Sequence, residues 1–166
     1  HRIVAADPTF IVEQKDKLAG IVITHAHEDH VGAIPYLWDR FKCPIYTTSF
    51  TAEVLRRKLA QTKLANKVPI VEVSHRGAMH LGPFSVEWLA VTHSLPEPYA
   101  LKISTCAGTV LHTADWKIDP QPVTGQPFDS QVYRNLGNEN ILALVGDSTN
   151  AVKPGFSISE RNCYDG

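Results

Sequence analysis

Short apolar runs rich in Val, Ile and Thr recur along the chain at Gly20–Thr24, Pro44–Thr48, Pro69–Val73, Phe84–Thr92, Tyr99–Ser104, Thr109–Thr113 and Ile141–Val145. Their length and β-branched content predict strands. Between the second and third runs, residues 49–67 place Val54, Leu55, Leu59 and Leu64 at helical spacing. A Ser or Thr stands at the start and Glu53 in the first turn, which predicts a capped amphipathic helix. Another helix is predicted after His30, with Val31, Ile34, Leu37 and Trp38 on one face and Pro35 in its first turn or at a kink. Phe128–Leu136 predicts a third. Strands interleaved with helices, plus the close pair Phe84–Thr92 and Tyr99–Thr113, give α/β with a mixed sheet. The Pro- and Gly-rich stretch Asp119–Pro127 is expected as an ordered surface loop, because a strand pattern resumes after it.

Four of these strands end alike. GIVIT runs into His25, His27, Asp29 and His30; VEWLAVT into His93 and Ser94; TVLHT into Asp115; LALVG into Asp147, Ser148 and Thr149. Ligands of α/β sheets gather at the carboxyl ends of strands, so side chains from several ends can share one cleft. His25 and His27 are two apart at a strand terminus and can point to one side. Asp29 and His30 follow in the turn, where diverging side chains can address a second ion. Imidazole and carboxylate suit Zn²⁺, Mn²⁺ or Fe ions, and a lone carboxylate such as Asp115 can bridge two of them. Water held between two such ions becomes a nucleophile near neutral pH, so the pattern predicts a dinuclear hydrolytic centre. Taken singly, His93 is an ordinary hydrogen-bonded strand-end histidine and Asp115 a turn cap. Both gain their meaning from the first motif. His75, His80 and His112 are read as structural, with His112 a candidate supporter of the site. Asp147–Asn150 is read as a turn, with a polar role near the site as the lesser alternative.

Composition narrows the setting. The 166 residues are enough for one domain with a real core. No apolar run reaches the length of about 18 residues that a membrane helix needs, and no charged-then-apolar leader is visible. Three cysteines, Cys43, Cys106 and Cys163, form no disulfide framework, so a reducing, cytoplasmic setting is expected. The net charge of −1 gives no overall field toward nucleic acid. Arg56, Arg57, Lys58, Lys63 and Lys67 make one helix basic; the expectation is a solvated face, since no aromatic residues accompany it to stack bases.

The string His25-Ala26-His27-Glu28-Asp29-His30 matches the HxHxDH signature of the metallo-β-lactamase superfamily. The longer strings THAHEDHVGAIPYL, THSLPEP, LHTADWKIDP and GDSTNA, in that order, resemble the ribonuclease J family, which belongs to its β-CASP branch. That resemblance implies an αββα sandwich, incomplete in this chain, and a two-metal phosphodiesterase acting on RNA with 5′→3′ exonuclease and endonuclease activity. It also implies that His25, His27 and His93 hold one ion, Asp29 and His30 the other, and Asp115 bridges them, with Asp29 and Asp115 the catalytic carboxylates. The ions would be divalent, Zn²⁺ foremost and Mn²⁺ second. The implied partners are RNA, a second copy in the full-length protein and other RNA-decay proteins, with no membrane. No His follows His112, so the family's last metal-ligand histidine is expected elsewhere, and the second ion is expected to bind weakly here. Residues 1–166 then form part of one metallo-β-lactamase domain, without the β-CASP and C-terminal domains. Another hydrolase of the same fold, a thioesterase or lactonase, and a non-catalytic scaffold are the competing expectations.

Overall fold

Every run picked out by its β-branched content becomes a strand, and most are trimmed at their ends. A computed structural model describes residues 4–74 and 77–165, so His75 lies outside the described residues. The chain is mixed α/β with two sheets and helices, and it divides into two compact units, His1–Val73 and Ser74–Gly166.

In the first unit, α1 (Thr9–Glu13) and a short 3-10 turn precede β1 (Ile21–Val22). The predicted helix after His30 is split into α2 (Glu28–Val31) and α3 (Ile34–Phe41), with Pro35 in the first turn of α3, where its missing N–H is harmless. Then follow β2 (Ile45–Thr47), α4 (Ser49–Ala60) and β3 (Ile70–Glu72). The three strands pair in parallel in the order β1-β2-β3, with Ile21 opposite Ile45 and Ile45 opposite Ile70. Pairing continues past the short β1: Ile23 N–H donates to Tyr46 O at 3.0 Å, and the Thr47 hydroxyl donates to Ile23 O at 2.9 Å. The apolar stripe of α4 (Ala52, Leu55, Leu59) is buried with Ile23, Val31, Ile34, Trp38 and Ile45 in the core of this unit. Helix α4 stops at Ala60, short of the predicted Lys67, and its N-cap Thr48 makes no side-chain capping bond. Ser49 Oγ instead donates to Glu72 at 2.8 Å.

The second unit holds a mixed sheet in the order β4-β5-β6-β7-β8. These strands are β4 (Ala78–Leu81), β5 (Phe84–Ala90), β6 (Tyr99–Thr105), β7 (Gly108–His112) and β8 (Ile141–Val145). Neighbours are antiparallel except β7 and β8, which run parallel. Alternation along β5 buries Val86 and Trp88. The β6–β7 turn needs a glycine at Gly108: its φ is +135°, and a Cβ there would run into Leu142 of β8. Helix α5 (Ser130–Leu136) is capped as its sequence suggests, Asp129 accepting from Gln131 N–H at 2.8 Å. The segment after β8 ends in α6 (Glu160–Asp165). β4, α1 and α6 lacked a sequence signal: β4 carries only four residues and α1 and α6 five and six, too short for a period to show.

Candidate metal centre

In the first unit the chain leaves the sheet at Thr24 and turns at once into α2. His27 is the N-cap residue, with extended backbone (φ −63°, ψ 152°), so His25 and His27 fall before the helix and Asp29 and His30 within its first turn. The rings of His25 and His27 stand edge-on with centroids 5.0 Å apart, and those of His25 and His30 lie 4.0 Å apart. His30 Nε2 is 3.7 Å from Asp29 Oδ2. His25 is fully buried, and its Nδ1 lies 3.0 Å from Thr24 Oγ1. With Nδ1–H donating to that hydroxyl, Nε2 is the nitrogen that would ligate, the arrangement by which metal-binding histidines are oriented. Below the turn, Lys58 of α4 pairs with Glu28 at 2.6 Å, which ties the motif to the core helix.

The second unit supplies His93, three residues after β5, and Asp115, three residues after β7. His93 Nε2 lies 3.6 Å from Asp115 Oδ2. The backbone leading to Asp115 is unusual. Ala114, buried and not glycine, has φ +53°. Its N–H donates to His112 Nδ1 at 3.0 Å, and its carbonyl accepts from Thr113 Oγ1 at 2.8 Å. A left-handed alanine costs on the order of 1–2 kcal/mol and persists because these bonds hold it. His112 therefore shapes the turn that presents Asp115.

Asp147 does more than cap its own turn. Its N–H donates to Thr113 Oγ1 at 3.0 Å, and its carboxylate accepts from the Thr149 hydroxyl (2.7 Å) and from Thr149 N–H (2.9 Å). The Thr149 bonds first, then the Trp116 N–H and the charge of His93, outweigh burial and hold this carboxyl below the ordinary carboxylate range. The signal was visible as a fourth strand ending in a carboxylate. Beyond Asp115, Trp116, Phe128 and Tyr133 form an aromatic ladder with centroid spacings of 6.2 and 4.8 Å. The Tyr133 hydroxyl donates to Ala90 O at 3.0 Å, and burial pushes its pKa up.

Four of the five cations in the basic run 56–67 are paired with carboxylates. Arg56 pairs with Glu72, Arg57 with Glu53, Lys58 with Glu28 and Lys63 with Asp39, all within 3.0 Å. Among the described residues no helix is long and apolar enough to cross a membrane.

Imidazole and carboxylate donors at strand ends, on parallel and mixed sheets, define a class. Residues 4–140 match the metallo-β-lactamase superfamily, and the chain belongs to it. The fold agrees: the metallo-β-lactamase fold protein YhfI from Bacillus subtilis is similar over 62% of this chain and 43% of its own, with TM-score 0.51 and 23% identity. Within the superfamily the similarity is sharper. The chain is 48% identical over 159 residues to Ribonuclease J of Sinorhizobium meliloti, covering 96% of this chain and 28% of that protein. It is 40% identical over 161 residues to Ribonuclease J of Helicobacter pylori, covering 95% and 23%. It thus spans about a quarter of the length of the relatives it matches.

Proposed function

We propose that this chain carries the metal-binding part of a ribonuclease J-like enzyme that hydrolyses RNA phosphodiesters. The observation that carries the reading is the 48% identity to a Ribonuclease J over 96% of the chain. The donor set fits the family's metals: neutral imidazoles and carboxylates, with His25 already oriented through Thr24. In this reading both units are parts of one metallo-β-lactamase domain. His25, His27 and His93 hold one divalent ion, Zn²⁺ before Mn²⁺; Asp29 and His30 hold a second, and Asp115 is shared. When bound, the two ions would acidify a water between them and neutralise charge on the phosphate. Asp115, fixed by the Ala114 turn, orients the attacking oxygen, and Asp29, exposed to solvent, accepts its proton. The whole protein acts as a 5′→3′ exonuclease and endonuclease in the cytoplasm, as a homo-oligomer with RNA-decay partners.

A chain with only Asp29, His30 and shared Asp115 for the second ion binds that ion more weakly than the first. Elemental analysis should find one tightly held ion, lost in His27→Ala, and titration should find a second site weaker by about 10-fold or more. The decisive assay gives 5′-monophosphorylated RNA with Mn²⁺ or Zn²⁺ to the longer protein that contains this chain. That protein should release mononucleotides, its Asp29→Ala variant should not, and the 166-residue chain should show little turnover. A longer protein that ignores RNA and cleaves a thioester rapidly would overturn the ribonuclease reading.

A further inference from the structure

His93 and Asp115 stand on separate segments of the second unit, and one buried aspartate, through its backbone and its carboxylate, joins both segments to a third. Asp119 is 1% exposed. Its Oδ1 accepts from Ser159 Oγ at 2.7 Å and Gln121 N–H at 2.9 Å; its Oδ2 accepts from Glu160 N–H at 2.8 Å and lies 3.3 Å from Lys117 Nζ. Lys117 Nζ also lies 3.3 Å from Glu160 Oε1. The backbone of Asp119 is bound as firmly: its N–H donates to Thr92 Oγ1 at 3.0 Å, and Lys117 N–H donates to Thr92 O at 2.8 Å. Thr92 and Lys117 are thereby bridged antiparallel. Thr92 is the neighbour of His93, and Lys117 lies two residues after Asp115.

A carboxylate buried this deeply is costly unless donors meet it, and here four do. Two of the four, the Ser159 hydroxyl and the Glu160 N–H, come from some forty residues along the chain, while the Gln121 N–H closes the aspartate's own turn. Removing the charge therefore loosens the start of α6 from the Thr92–Lys117 bridge that lies beside His93 and Asp115. The core of the sheet, with Val86 and Trp88 buried in β5, is not part of this network.

We infer that Asp119 is a positioning residue for the metal centre: its backbone N–H holds Thr92 beside His93, and its carboxylate clamps Lys117, two residues after Asp115, to the Ser159–Glu160 turn. The inference rests on the metal-binding role proposed above.

The test is Co²⁺ binding to this chain, followed by the visible d–d absorption band and by the affinity. Three variants are compared with the unaltered chain: Asp119→Asn, Ser159→Ala, and Asp129→Ala. The last removes the cap of α5 in the same unit without touching the junction, and so controls for destabilisation alone. Asp119→Asn should weaken Co²⁺ binding about 10-fold and alter the band at saturating metal. Ser159→Ala should move both in the same direction by less. Asp129→Ala should lower the melting temperature and keep the unaltered band. Should Asp119→Asn fail to fold, Ser159→Ala decides. A folded junction variant with unaltered band and affinity overturns the inference, as does an Asp129→Ala band that shifts equally. Absence of Co²⁺ binding in the unaltered chain overturns the metal-centre reading itself, and the inference with it.

Discussion

At the scale of single residues, the second unit holds its most deeply buried charge at Asp119, and its environment fixes a pH dependence. Burial alone would raise this carboxyl's pKa. The Glu160 N–H, Ser159 hydroxyl, Gln121 N–H and Lys117 ammonium outweigh that and hold it well below the ordinary carboxylate range. A depressed folded-state pKa contributes stability above the unfolded value, about 3.9, and loses it as pH falls toward the folded value. The stability difference between the unaltered chain and Asp119→Asn should therefore be largest at neutral pH and shrink below about pH 4. Urea unfolding at pH 7 and pH 3 measures it. A difference that grows on acidification would mean that the carboxylate is not held charged by its donors.

Elements in this chain end where local chemistry allows, sometimes at a cost. Helix α3 closes on Lys42, an exposed residue with φ +52° whose N–H donates to Trp38 O at 2.8 Å. Glycine usually fills this position, because a Cβ is strained in the left-handed region. Lys42→Gly should raise stability by about 0.5–1 kcal/mol, the relief of strain less glycine's greater entropy in the unfolded chain. The midpoint of urea unfolding reads this directly. Helix α4 shows the opposite economy. Its cations look available for a polyanion in sequence, yet Arg56, Arg57 and Lys58, and Lys63 just beyond the helix, each meet a carboxylate from their own unit.

At the largest scale, β8 is an exposed edge of the second sheet. It ends the order of the second sheet, and Leu142, Leu144 and Val145 are 58%, 65% and 50% exposed. A parallel strand with apolar residues open on both faces is a site for self-association. Sedimentation velocity on this chain should show concentration-dependent association, and Leu144→Lys should shift the population toward monomer. Equal association in both would place the sticky surface elsewhere.

Local composition and spacing suffice for the strands and for the string of candidate metal ligands. Val, Ile and Thr runs of five to nine residues mark strands by composition alone, and HAHEDH compresses four ligand candidates into six positions. Pro35, expected in a first turn or at a kink, was equally legible, because it acts within a few residues of itself. The tertiary structure alone decided matters that depend on partners distant in the chain. The strand runs alone pointed to a mixed sheet and the family resemblance to two; which strands pair was settled in the folded chain, since a run of β-branched residues does not name its partner. The predicted cap of α4 gave way to a bond between Ser49 and Glu72, 23 residues on. Asp119 read as a loop residue, and its burial depends on donors from Ser159 and Glu160, some forty positions away. Asp147 read as a turn, and the bond from its N–H to Thr113 Oγ1, 34 residues back, connects it to the arm that bears Asp115. Local spacing names the groups that can ligate a metal; the long-range hydrogen bonds that hold them in place belong to the folded chain.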